Sequence, residues 1–271
     1  MNPMGTDGFE FVEFTAVDQA GIDQLGMLFR SLGFTAIARH RHRNVTLFRQ
    51  GDIHFIVNGE AIAPFHDFAR QHGPSVCAMA WRVHDAKQAH EYALAHGAKP
   101  YSHPVGAMEL NIPAIEGVGG SAIYLVDRYG QSTIYDVDFV PLPAEKSEPA
   151  GLVSIDHLTH NVMRGQLDVW ATFYASIANF REIRYFDIEG KLTGLTSRAM
   201  VSPCGKIRIP INQSSDDKSQ IEEFLQLYGG EGIQHIALST GNIYRTVEAL
   251  RATGVEFLDT PDTYYERVDA R

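Results

Sequence analysis

The feature that most constrains this chain is an internal repeat. VCAMAWRVHDAKQAHEYALAHGAK, beginning at Val76, reads as a strand, a helix capped by Asp85, and a stop at Gly97. IQHIALSTGNIYRTVEALRATGVEF, beginning at Ile233, follows the same order, with Ile243, Val247 and Leu250 on one helical face and Gly254 as the stop. Nineteen positions separate Ala78 from Gly97, and nineteen separate His235 from Gly254. Ala78 therefore aligns with His235. The openings align as well: FVEFTAV from Phe11 against IDHLTHNV from Ile155 sets Glu13 opposite His157 and Thr15 opposite Thr159. Amphipathic helices follow each opening, over Ile22 to Ser31 and Leu167 to Ala178.

A duplicated chain of 271 residues suits two domains, each with its own core. Pro141, Pro143 and Pro149, set among charged and small residues, mark 141–151 as a linker, giving an N-terminal domain over 1–140 and a C-terminal domain over 152–271. NVTLFRQ, DIHFIVN, AIYLVD and STIYDVDFV read as short strands. The expected class is α+β: tandem βαβββ modules, each half curling into an open, barrel-like sheet around a cavity.

His157 and His235 each place a titratable ring in the middle of an apolar, β-prone run. A lone strand histidine is ordinarily a hydrogen-bonded core group, but two at matched repeat positions are hard to explain as packing. Two neutral imidazoles on neighbouring strands, with one carboxylate, form the facial arrangement of non-haem Fe(II) oxygenases. His160 lies three residues after His157, on the opposite strand face, and is expected to be structural or supporting. The corresponding positions of the first half, Glu13, Ala78 and Asp136 on a last strand, lack histidine, so that half is read as metal-free, supplying folding and assembly surface.

IDHLTHNV, YFDIEGKLTGLTSRAM, IRIPINQ, KSQIEEFL, GEGIQHIAL and DTYYE, in that order, resemble the bacterial 4-hydroxyphenylpyruvate dioxygenases of the vicinal-oxygen-chelate superfamily, over a match running from about Gly8 to Arg271. The resemblance implies conversion of 4-hydroxyphenylpyruvate and O2 to homogentisate and CO2 in tyrosine and phenylalanine breakdown. It implies Fe(II) held by His157 and His235. It implies a substrate pocket with Ser197, Pro210, Asn212, Gln220 and Gln234, of which Ser197, Asn212, Gln220 and Gln234 also count as catalytic. Without it, Ser197 reads as a turn residue, Asn212 as a loop residue and Gln220 as helix surface. The family's third ligand is a glutamate on a late strand; the repeat spacing puts it beyond Arg271, so the second domain is expected to be truncated and inactive if the chain ends there.

The formal net charge of −10 argues against non-specific nucleic-acid binding, which needs a basic surface. No apolar run spans a bilayer, no signal peptide opens the sequence, and two cysteines, Cys77 and Cys204, suit a reducing cytoplasm. The family assembles as homodimers or homotetramers. His40 and His42 are expected on one strand face of a hairpin arm, and GVGG from Gly117 as a turn. Two further functions compete: 4-hydroxymandelate synthase, using the same substrate and iron, and a metal-free binding or assembly protein.

Overall fold

The computed structural model describes residues 1–106, 108–145, 148–189 and 194–258. In chain order the elements are β1 (Thr6–Thr15), α1 (Gln19–Ser31), β2 (Thr35–His40), β3 (Val45–Gln50), β4 (Ile53–Asn58), α2 (Phe65–His72), β5 (Ser75–Val83), α3 (Ala86–Ala95), β6 (Ala114–Glu116), β7 (Ala122–Val126), α4 (Tyr135–Asp138) and β8 (Phe139–Pro141). The chain continues with β9 (Leu152–Val162), α5 (Leu167–Ala178), β10 (Arg181–Glu189), β11 (Gly194–Val201), β12 (Arg208–Ser214), α6 (Gln220–Tyr228), β13 (Gly232–Thr240) and α7 (Ile243–Ala252). These elements are α+β, built on the expected module: β1 to β4 and β9 to β12 each run β-α-β-β-β.

Two mixed sheets result, ordered β6-β7-β5-β1-β4-β3-β2-β8 and β10-β11-β12-β9-β13. In each, the opening strand runs parallel to the last strand of its own module and antiparallel to the first strand of the next. Neither closes into a barrel, because the edge strands remain unpaired with one another. Local chemistry starts the helices: Asp18, Asp85, Ser219 and Asn242 accept backbone N–H groups at four N-termini, satisfying donors the helix cannot.

The core faces of the two sheets meet in one apolar cluster, where Trp81 of β5 stacks on Phe180 at 5.3 Å and tilts against Tyr174 of α5 at 6.1 Å. The halves also touch at the GVGG turn. It forms a short 3-10 turn over Val118–Gly120, and a Cβ added to Gly119, whose φ is +61°, would stand 1.9 Å from the Glu231 carbonyl oxygen. Only glycine admits that approach.

Several expectations are corrected. In the first sheet Glu13 pairs with Ala78 and Phe11 with Ala80; in the second, Thr159 pairs with His235 and His157 with Ala237. With Ala78 and His235 equivalent, the counterpart of His157 is Phe11, and Glu13 corresponds to Thr159. The opening-strand alignment was thus displaced by two residues, which a period-two pattern cannot detect because both registers keep the same face. Asp136 stands in the helical turn α4, not on a strand, with its carboxylate accepting from the Thr133 backbone and hydroxyl. The proposed 141–151 linker begins inside β8, since Pro141 pairs with Ala38. His42 lies past the end of β2, so His40 and His42 do not share a strand face. In α7, Leu250 is buried but Ile243 is 58% exposed among the described residues.

Candidate metal centre

β9 and β13 are neighbours, and this pairing brings the two histidines together. Their Nε2 atoms lie 3.3 Å apart, with the rings at 74° to one another. Each Nδ1 has its own partner: Asp156 Oδ2 at 2.8 Å for His157, and Gln234 Oε1 at 2.8 Å for His235. Both partners are acceptors, so each Nδ1 carries the proton and each Nε2 presents its lone pair to the other. Two lone-pair nitrogens do not bond each other; they fit a cation between them. Imidazoles bound about 2.1 Å from one metal ion in cis positions stand roughly 3 Å apart. Donor set and spacing therefore fit a metal.

Loss of hydration, and then the neighbouring His157, hold the His235 imidazole below its usual pKa, which favours the neutral ring, the form able to offer a lone pair. The Thr159 hydroxyl lies 2.8 Å from His235 Nε2 and donates to it. Asp156 is itself anchored by Arg208, whose Nη1 lies 2.5 Å from Asp156 Oδ1. Among the described residues no group of three or more His, Cys, Asp and Glu side chains gathers as a metal site, and DTYYE lies outside them.

A β-bulge shapes the wall beside the pair. Ile233 faces His160 and His235 faces Thr159, so β13 carries one extra residue, Gln234, at this point. Gln234 and His235 both line a cavity of about 550 Å³ with Asn161, Asn212, Ser219 and Gln220. Asn212, Gln220 and Gln234 are thus brought together. His157, Ser197 and Pro210 are not on that wall. The register Asn161–Asn212–Ser197, with Pro210 two residues before Asn212, puts them on the same sheet face as His157 and Thr159. Ser197 is buried there.

His160 occupies the other face, fully buried, with Nε2 at 2.7 Å from Tyr174 Oη, and burial pulls its pKa down to about 3. It is structural, as its odd spacing from His157 implied. Three residues were missed: Asp156, Thr159 and Asn161. Asn161 is 3% exposed and its Oδ1 has no partner among the described residues, although the side chain borders the cavity. For Thr159 and Asn161 position was the available signal, because residues two and four after His157 on a strand share its face.

A facing histidine pair on paired strands of a duplicated βαβββ scaffold, with an amide-lined cavity beside it, defines a vicinal-oxygen-chelate metalloenzyme. Residues 1–140 match the model for the hydroxyphenylpyruvate dioxygenase N-terminal region, and 154–267 match that of the glyoxalase/bleomycin resistance protein/dioxygenase superfamily. The chain is 62% identical over 272 residues to a 4-hydroxyphenylpyruvate dioxygenase of Pseudomonas aeruginosa, covering 100% of this chain and 76% of that one. It is 61% identical over 276 residues to hemolysin VllY of Vibrio vulnificus, covering 100% and 77%. Among solved structures, a fusion of a xylose isomerase-like TIM barrel with 4-hydroxyphenylpyruvate dioxygenase superposes with a TM-score of 0.81 at 37% identity, over 100% of this chain and 42% of the other. The chain belongs to the 4-hydroxyphenylpyruvate dioxygenase family, and it is an enzyme of that activity.

Proposed function

We propose that His157 and His235, through Nε2, supply two of the three protein ligands of an Fe(II) ion, with a carboxylate as the third. The single observation that carries this reading is the 3.3 Å approach of two lone-pair nitrogens. Iron bound there supplies a chelation point for the 2-oxo acid of 4-hydroxyphenylpyruvate and the electrons that reduce O2. The remaining work falls to the chain itself. Asp156 and Gln234 fix the tautomers, so that neither ring must turn or lose a proton before binding metal.

The cavity next to His235 receives the substrate. Gln234 commits Oε1 to His235, which leaves its NH2 to donate to the substrate. Asn161, Asn212 and Gln220 hold and orient the phenol and side chain by amide hydrogen bonds, which do not compete for the metal as a carboxylate or thiolate would. Ser197 and Pro210 complete the same face beside Asn212. We place the enzyme in tyrosine and phenylalanine breakdown in the cytoplasm, as a homodimer or homotetramer. The division into a metal-free first domain that closes with β8 at Pro141, a linker from there to 151 and a catalytic domain from 152 follows the same reading. No described helix is long and apolar enough to cross a membrane.

Anaerobic mixing of the protein with Fe(II) and 4-hydroxyphenylpyruvate tests the reading. A visible charge-transfer band, followed on admitting O2 by homogentisate, supports it. Formation of 4-hydroxymandelate would move the assignment to benzylic hydroxylation, and absence of both iron and product would leave a metal-free scaffold.

A further inference from the structure

Helix α6 and strand β13 act as one unit of the candidate site. Ser219 and Gln220 at the start of α6, and Gln234 and His235 on β13, line the same cavity, and only Gly229, Gly230 and Glu231 join the two elements. Whatever fixes that loop fixes both walls.

The first half grips it at two places. His72, the last residue of α2, lays its ring on Tyr228, the last residue of α6, at 4.2 Å and 22°. Its Nδ1 lies 2.8 Å from the Tyr228 carbonyl oxygen. A carbonyl only accepts, so Nδ1 carries the proton and donates. The last carbonyls of a helix have no partner within it, and here the other half supplies one. His72 is 8% and Tyr228 6% exposed, with Phe65, Phe68 and Cys77 packed around the Tyr228 ring, so the bond is shielded from water. The second grip is the Gly119 turn, whose backbone stands against the Glu231 carbonyl.

Between the grips there is no spare room. Gly229 and Gly230 have φ of +74° and +149°, and a Cβ on Gly232 would stand 2.3 Å from the Tyr228 ring. Apolar packing alone would hold two surfaces together at several offsets, whereas a buried N–H to carbonyl bond selects one.

We infer that His72 is a positioning residue of the enzyme: from the first half it fixes the exit of α6 and the entry of β13, and through them Gln220, Gln234 and His235. This rests on the reading of the cavity and the histidine pair as the substrate and metal site.

The test compares wild type with His72→Phe, which keeps a ring on Tyr228 without the donor, and His72→Asn, whose amide nitrogen can stand in for Nδ1 without the ring. Fe(II) affinity by anaerobic titration and KM for 4-hydroxyphenylpyruvate are measured at a temperature where all three are folded. In His72→Phe, Fe(II) affinity is expected to fall and KM to rise, each by about five- to tenfold, as loss of one net hydrogen bond predicts, with most of the change recovered in His72→Asn. A merely structural His72 would lower Tm in both variants and leave affinity and KM at wild-type values, which would overturn the inference, as would equal losses in the two variants. Hydrogen exchange of the wild type needs no variant: the segment 228–235 is expected to exchange as slowly as β5, and fast exchange confined to it would overturn the inference even if His72→Phe fails to fold. A wild type that binds no Fe(II) would count instead against the reading of the histidine pair, and the exchange result would still decide whether His72 holds the loop.

Discussion

Thr159 lies directly across the ladder from His235 and donates its hydroxyl to the same nitrogen, Nε2, that faces His157. Metal binding must displace that hydrogen bond. Thr159→Val is therefore expected to bind Fe(II) at least as tightly as wild type, by up to about tenfold, the worth of one net hydrogen bond. Anaerobic metal titration measures it; weaker binding in the variant would mean that Thr159 positions His235 rather than competing for it.

Asp156 acts in the opposite sense. It holds the Nδ1 proton of His157 and is tethered by Arg208. Asp156→Asn should lower metal affinity by about 10- to 100-fold while leaving the melting temperature nearly unchanged, since the side chain is 40% exposed. Equal affinity in wild type and Asn variant would show that the carboxylate has no part in setting the ligand.

On the far face of β9, His160 contributes to stability alone. Its pKa is pulled down to about 3 by burial, so the unfolded chain binds a proton below pH 6.5 that the fold refuses. The stability this gives is full above pH 6.5 and is lost as pH falls toward 3. His160→Leu should cost about 1–3 kcal/mol at pH 7 by stranding the Tyr174 hydroxyl, and should flatten the acid limb of the stability curve. Urea unfolding at pH 7 and pH 4.5 reads both effects.

Glu13 carries the reverse sign. Its folded pKa, raised to about 7, means that the fold binds a proton the unfolded chain has released above pH 4.5, so its stability is complete below pH 4.5 and declines until about pH 7. Glu13→Gln keeps the acceptor for Asn58 without the charge, and should exceed wild type by about 3 kcal/mol at pH 8.5 while matching it at pH 4. Chemical denaturation across that range checks the sign.

The junction between halves gives a sharper steric prediction. Gly119→Ala would drive a Cβ into the Glu231 carbonyl from a left-handed backbone, and Glu231 also accepts from the Trp170 indole at 2.8 Å. A loss of roughly 3 kcal/mol is expected, with a shift in Trp170 fluorescence. An unchanged denaturation midpoint would mean that the halves can separate at this point without cost.

The sequence made some of this legible and hid the rest for physical reasons. Helix caps at Asp85 and stops at Gly97 and Gly254 are local chemistry, and were readable; so was the odd spacing that sends His160 to the core. The two-residue slip in pairing was not, since alternation is blind to even shifts. Nor was the bulge that turns Gln234 toward the His235 cavity, because an extra strand residue leaves no signature in a single sequence. Tyr135 to Asp138 has the composition of a strand yet forms a helical turn, with Ile134 and Phe139 packing into the sheet on either side of it.

Anaerobic Fe(II) equilibrium dialysis of the full chain, wild type against His157→Ala, His235→Ala and His160→Leu, tests the central claim. The geometry predicts one iron per chain in wild type and in His160→Leu, and at least 100-fold weaker binding in each alanine variant. Iron retained equally in His157→Ala or His235→Ala would contradict it.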